Sequence, residues 1–138
     1  MKTTKIEVST KAEVEFIDIT KRVRDFIALE NITSGICHIF AQHTTCGIVL
    51  MEHEAGAIAD LEATLRKLAP PDKNYCHNTL ACDRNGHAHI RGTIIGPDIS
   101  IPIIDGSLAL GTYQSIVFID CDDTQPGDRT IIVSLLEK

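Results

Sequence analysis

Apolar and polar residues alternate from Lys5 to Ile17, in IEVST and again in AEVEFIDI. That period of two predicts a pair of short strands around a Ser-Thr-Lys turn. Val23, Phe26 and Ile27 then recur at helical spacing. A helix of about three turns is predicted there, with Thr20 as its N-cap and its end near Asn31. Ser34 to Gln42 reads as a strand. GIVLMEH, just after HTTC, reads as another, and its near-continuous apolar run suits a strand buried on both faces. Ile58, Leu61, Leu65 and Leu68 form one helical stripe, so a helix is expected from about Ala55 to Leu68, stopped by Pro70-Pro71. Strands return in HIRGTII, ISIPII, ALGTYQSIVFID and RTIIVSLLE. Pro102 within ISIPII marks that run as an edge or bulged strand. The expectation is one α+β domain over residues 1–138, a curled antiparallel or mixed sheet of sandwich or barrel form with two main helices on one side.

Composition narrows the function. A chain of 138 residues with a hydrophobic fraction of 43% can bury a real core. A formal net charge of −6 opposes nucleic-acid binding, which needs a basic surface, and the absence of Trp leaves few stacking platforms. No apolar run approaches the roughly 20 residues of a membrane span. The opening MKTTKIEVST lacks the apolar segment of a signal peptide, so a soluble, cytoplasmic protein is expected. Five cysteines without a CxxC pair signal neither a disulfide framework nor a zinc ribbon.

The candidate chemistry is carried by histidines and carboxylates. The stretch from Asn74 to Gly92, NYCHNTLACDRNGHAHIRG, holds three of the six histidines. On a strand, His87 and His89 would point to one face, with His77 brought back by the turn before them. With His43 at a strand end, and with Glu52, His53, Asp60 and Asp83, they form a set able to hold a zinc-like ion and leave a position open for water or substrate. Solvated loop histidines are the plain alternative for the pair, and a hydrogen-bonded core or surface residue is the expectation for lone His38. Asp60 and Glu62 fall on the borders of the second helix's stripe, able to reach over a sheet edge or simply to face water. Cys46 would be a nucleophile only if a neighbouring charge lowered its pKa; packing is the expectation. Gly106, Gly111, Thr112 and Gln114 bring N–H and hydroxyl donors that suit an anion, against an ordinary glycine turn.

These residues resemble a family. HTTCGIVLMEHE, DLE, NYCHN, NGHAHIRGTIIGPDISIPIIDGSLALGTYQSIVFID and RTIIVSLL match, in order and spacing, the YjbQ-like proteins, also called secondary thiamine-phosphate synthases. The resemblance covers nearly everything from Gly35 onward. It implies a homotrimer with its site at subunit boundaries, and shared polar residues at His43, Glu52, Asp60, His77 and His89. Gly96, Gly106, Gly111, Thr112 and Gln114 match its structural block. His87 occurs in part of the family, Cys46 is often Ala there, and Met51 stands where many members have Asn. The implied reaction joins a hydroxymethylpyrimidine diphosphate to a thiazole phosphate with loss of pyrophosphate. That step requires neutralisation of the leaving group, for which Arg84, Arg91, Arg129 and Lys73 are the basic candidates. The sequence thus assigns His43, His77 and His89 as ligands of a divalent metal, zinc-like or Mg²⁺ with a diphosphate, and Glu52, Asp60 and His87 as catalytic groups. Gly106, Gly111, Thr112, Gln114 and Arg91 are assigned to the substrate, a small phosphorylated or heterocyclic molecule. The alternatives are a metal-dependent hydrolase or lyase, and a trimeric metabolite binder without turnover.

Overall fold

A computed structural model describes residues 1–138. Eight strands and four helices follow in the order β1 (Lys2–Thr10), β2 (Glu15–Asp18), α1 (Thr20–Glu30), β3 (Gly35–Ala41), β4 (Cys46–Met51), α2 (Ala55–Leu68), α3 (Cys76–Leu80), α4 (Gly86–Ile95), β5 (Asp98–Ile104), β6 (Ser107–Leu108), β7 (Ser115–Asp120) and β8 (Gly127–Glu137). The strands make a curled, antiparallel arrangement of two sheets, ordered β1-β8-β3-β5-β6 and β2-β7-β4. This is a mixed α+β domain.

Alternation sorts the side chains of both sheets. Cys37, Ile39, Ile101, Ile103, Ile131, Val133 and Leu135 of the larger sheet meet Ile48, Ile116 and Phe118 of the smaller one in the main core. The other face of β7 sends Val117 and Ile119 into a second core with Ala88, partly buried Leu61 and Ile95. β7 is therefore covered on both sides, by the large sheet and by α2 and α4. β4 shares this position, as its apolar run predicts: Ile48 faces one core and Val49 the other. At about 25 cal/mol per Å² of apolar surface, such two-sided burial is the main cohesive contribution.

The sequence placed β3, β4, β5, β8 and both long helices well, and α2 begins and ends where expected. Its start is fixed by Glu54, whose carboxylate accepts the amides of Gly56 and Ala57. Five expectations are corrected. The two long helices do not share one side: α1 packs Val23 and Ile27 into the main core and α2 packs Leu61 into the second, on opposite faces of β7. β1 and β2 are not a hairpin: β1 pairs with β8 and β2 with β7, in different sheets. Thr20 is the first residue of α1 and not its cap. The Asp18 carboxylate receives the Thr20 amide at 2.8 Å, while the Thr20 hydroxyl accepts the Ile116 amide at 2.8 Å. ALGTYQSIVFID is strand only from Ser115; the Gln114 side chain closes a turn onto the Gly111 amide at 2.8 Å.

The largest correction concerns HIRGTII, which is helix and not strand. Gly86 to Ile95 form α4. Its buried side is Ala88, Arg91, Gly92 and, in part, Ile95, spaced i, i+3, i+4, i+7. Two glycines weaken a free helix, but Gly92 lets this one lie against the β3–β4 turn. A Cβ there would stand 3.0 Å from the Thr45 carbonyl carbon and 3.1 Å from the Cys46 amide nitrogen. Tertiary packing thus outweighs the propensity of a segment rich in β-branched residues.

Candidate functional site

Helical geometry separates the two histidines that a strand would have aligned. Two residues on a helix differ by about 200°. His87 points into the protein with 2% of its side chain exposed, and its Nε2 lies 2.6 Å from Asp123 Oδ1. The same carboxylate faces Arg91 Nη1 at 3.7 Å and Arg66 Nη1 at 3.6 Å. Arg91 is fully buried, and its Nε and Nη2 both donate to the Ala69 carbonyl, at 3.0 and 2.8 Å. His87 and Arg91 therefore tie α4 to the end of α2 and to the loop after β7. Neither side chain reaches the surface of a single chain.

His89 looks the other way and meets His77 from α3. Their ring centroids are 4.3 Å apart with planes tilted by 51°. His89 sits below the ordinary histidine pKa because burial, then the neighbouring His77, disfavours a second positive charge. His77 Nε2 is 3.1 Å from Asn85 Oδ1 and 3.9 Å from Asp83 Oδ2. Asn85, itself buried, donates from Nδ2 to Asp122 Oδ2 at 3.1 Å. Burial pushes the Asp122 carboxyl up, but hydrogen bonds from the Thr124 hydroxyl and amide and from Asn85 outweigh it and hold the group below the usual carboxylate range.

His43 lies in the turn after β3. Its Nε2 accepts the Thr130 amide at 3.0 Å, so the ring continues the β3–β8 edge where the strand ladder ends. Its pKa is lowered, by burial first and then by the Arg129 guanidinium. Nearby, the buried Asp120 carboxylate receives the Thr10 hydroxyl at 2.6 Å, Arg129 Nε at 2.9 Å and the Asp122 amide at 3.0 Å. It also receives the Cys46 thiol at 3.6 Å. Burial and then the Asp120 charge push the Cys46 thiol far up, the opposite of what a nucleophile needs. Phe40, Ala41, His43, Cys46, Thr93 and Pro97 border an open cleft of about 690 Å³ between this turn and α4.

The structure brings His77 and His89 together. It does not gather three or more His, Cys, Asp or Glu side chains of one chain into a metal-sized group, so His43 does not join that pair. Glu52 and Asp60 are exposed. His53 is exposed too, with Nε2 3.0 Å from the Phe16 carbonyl oxygen. His38 is partly exposed on β3, 3.0 Å from the Ser100 hydroxyl. The Gly106 amide donates to the Thr33 carbonyl at 2.9 Å, in the β5–β6 turn where its φ of 75° suits glycine. Gly111 is engaged by Gln114, and Thr112 is exposed beside it. Sequence reasoning missed the hub of the whole region, the run Asp120-Cys121-Asp122-Asp123 that closes β7. Three acids directly after an apolar, doubly covered strand were the available signal, since such carboxylates are buried only with partners.

Comparison with known proteins agrees with this architecture. The UPF0047 protein YjbQ-like profile matches residues 4–138. The chain belongs to this YjbQ-like family. A UPF0047 protein of Methanothermobacter thermautotrophicus is 37% identical over 99% of this chain and 92% of its own. One of Mycobacterium tuberculosis is 34% identical, covering 99% of both chains. Among solved structures, a YbjQ-like protein of unknown function from Sulfolobus solfataricus superposes with a TM-score of 0.93 at 34% identity, over 99% of this chain and 97% of its own. A hypothetical protein from Aeropyrum pernix gives 0.92 at 31% identity, with complete coverage of both. No helix of this YjbQ-like chain is long and apolar enough to cross a membrane.

Proposed function

We propose that this chain is a metal-assisted enzyme acting on a small phosphorylated or heterocyclic substrate, with its site completed at the boundary between subunits of a homotrimer. The thiamine-phosphate synthase reaction implied by the resemblance is the specific candidate. The observation that carries the reading is the His77–His89 pair, 4.3 Å between centroids and backed by Asn85 and Asp122. The lowered pKa of His89 favours the neutral imidazole that a divalent ion requires. Two such rings supply half of a tetrahedral site, and the remaining positions fall to substrate, water or a carboxylate of a second copy. Exposed Glu52 and Asp60 are the carboxylates free for that part, as base or orienting group. A bound zinc-like ion would supply Lewis-acid stabilisation of a phosphoryl oxygen and a lowered pKa for water. Lys73 and Arg84, exposed on the segments flanking α3, provide positive charge for a phosphorylated substrate.

Three measurements on untagged protein test this. Light scattering is expected to give three times the chain mass; a monomer removes the shared site. Elemental analysis after a zinc soak is expected to approach about one equivalent per chain, and less than about a tenth removes the metal. Growth of cells lacking thiamine-phosphate synthase is expected to be restored by the wild type and lost with His89→Ala. Zinc binding with no growth restored by the wild type identifies a non-catalytic binder instead, and growth that His89→Ala leaves unchanged removes His89 from the reaction.

A further inference from the structure

We infer that two hydrogen-bond relays hold His77 and His43 in opposite tautomers, so that His77 carries a bare Nδ1 while His43 carries its proton there. The relay for His77 begins at Asp122. A carboxylate that only accepts fixes which end of the Asn85 amide faces it: Nδ2 donates to Asp122 Oδ2 at 3.1 Å. The carbonyl end of Asn85 is then what faces His77, and Oδ1 only accepts. His77 Nε2 must be the N–H, across 3.1 Å, and the Asp83 carboxylate 3.9 Å from the same nitrogen favours that proton too. In the neutral ring the lone pair is left on Nδ1. Asn85 is 4% exposed and Asp122 2% exposed, so water does not compete easily for these bonds.

The relay for His43 has the opposite sense. The Thr130 amide always donates, and it lies 3.0 Å from His43 Nε2. The lone pair of the neutral ring is spent there, and the proton sits on Nδ1, which has no partner in the chain. His43 is then a hydrogen-bond donor and not a metal ligand, which divides the labour among the three histidines that the sequence placed together. Thr130 and the pair Asn85–Asp122 are positioning residues that act through the rings. The ligand class follows for the cleft that His43 borders. Its wall of Phe40, Ala41, Cys46 and Pro97 suits an apolar ring, and its one imidazole donor suits an acceptor such as a ring nitrogen or phosphoryl oxygen. The use made of His77 Nδ1 rests on the function proposed above; the tautomers rest on hydrogen bonds alone.

Long-range ¹H–¹⁵N correlation of the full-length protein at about pH 8, above the ordinary histidine range, reads both tautomers directly. His77 is expected as the Nε2–H form and His43 as the Nδ1–H form, assigned through His→Gln variants. In Asp122→Asn, the new carboxamide can donate to Asn85, whose own amide then turns, and His77 moves towards Nδ1–H while the His43 signal stays in place and reports intact folding. Asn85→Leu, which removes the relay without adding a donor, is expected to give a mixture at His77. A wild-type His77 in the Nδ1–H form, a His77 indifferent to Asp122→Asn, or a His43 in the Nε2–H form would overturn the inference. Zinc titration of the same samples separates this from the function. Expected tautomers without zinc binding remove the metal and keep the relays; bound zinc with reversed tautomers does the opposite. Where both hold, Asp122→Asn is expected to weaken zinc roughly tenfold or more.

Discussion

His87 and His89 stand two residues apart on α4 and occupy opposite physical regimes. The first is sealed under the β7–β8 loop, its ring committed to Asp123 together with a buried arginine. The second lies at the surface against another imidazole, with its charge discouraged and no anchoring bond of its own. One helix thus uses a single residue type for cohesion on one side and leaves it chemically available on the other. Burial with a charged partner makes a histidine structural; partial burial without one keeps it free to bind or exchange a proton.

The sharpest way to break this contrast is to remove the anchor. Asp123→Ala leaves the His87 ring and the Arg91 guanidinium buried without a carboxylate, and is expected to cost about 3–5 kcal/mol in urea unfolding. Loss of less than about 1 kcal/mol would show that the buried side is not what holds α4 in place. Gly92→Ala is next. Its Cβ would press on main-chain atoms of Thr44, Thr45 and Cys46, and lifting the helix off the turn is expected to cost about 1–3 kcal/mol.

His89→Gln sharpens the other side. At about pH 8 it is expected to change stability by less than about 0.5 kcal/mol. Its effect lies in the pH profile. The folded-state pKa of His89 is below the unfolded value of about 6.5, so the unfolded chain binds more protons between the two and stability rises with pH. The wild type is therefore expected to lose stability as pH falls below about 6.5, through His89 and His43 together. The variant is expected to have a shallower slope over that window. An unchanged slope in pH-dependent thermal melts would mean that His89 is not held neutral. The smallest effect is expected at Arg66, which is exposed over less than half of its side chain on α2 and pairs with Glu62 at 2.8 Å and with Asp123 at 3.6 Å. Arg66→Gln should cost about 0.5 kcal/mol, a value that salt reduces further.

Much of the fold was legible because its strands alternate and its long helices carry an apolar stripe. β3, β5, β8 and α2 follow from those two periods, and β4 from its near-continuous apolar run. α4 was not legible in the same way, since its buried face is Ala88, Arg91, Gly92 and Ile95. An arginine and a glycine at core positions hide the helical period, and the β-branched residues between them imitate a strand. The candidate site was half legible. His77 and His89 stood out as a residue type in a polar stretch. Asn85, Asp122 and Thr130 did not, because an amide, one acid among several and a main-chain N–H carry no signal until something is placed against them.

The sequence by itself determined the mixed α+β class with its curled antiparallel strands, the doubly covered strand β4, the family, and the stock of imidazoles and carboxylates near residues 74–92. Those follow from local periods and from motifs, which need no knowledge of what lies across the fold. Only the tertiary structure decided which histidine is anchored and which is free. That choice depends on a rotation of about 200° along α4 and on the carboxylates that β7 delivers from more than thirty residues away.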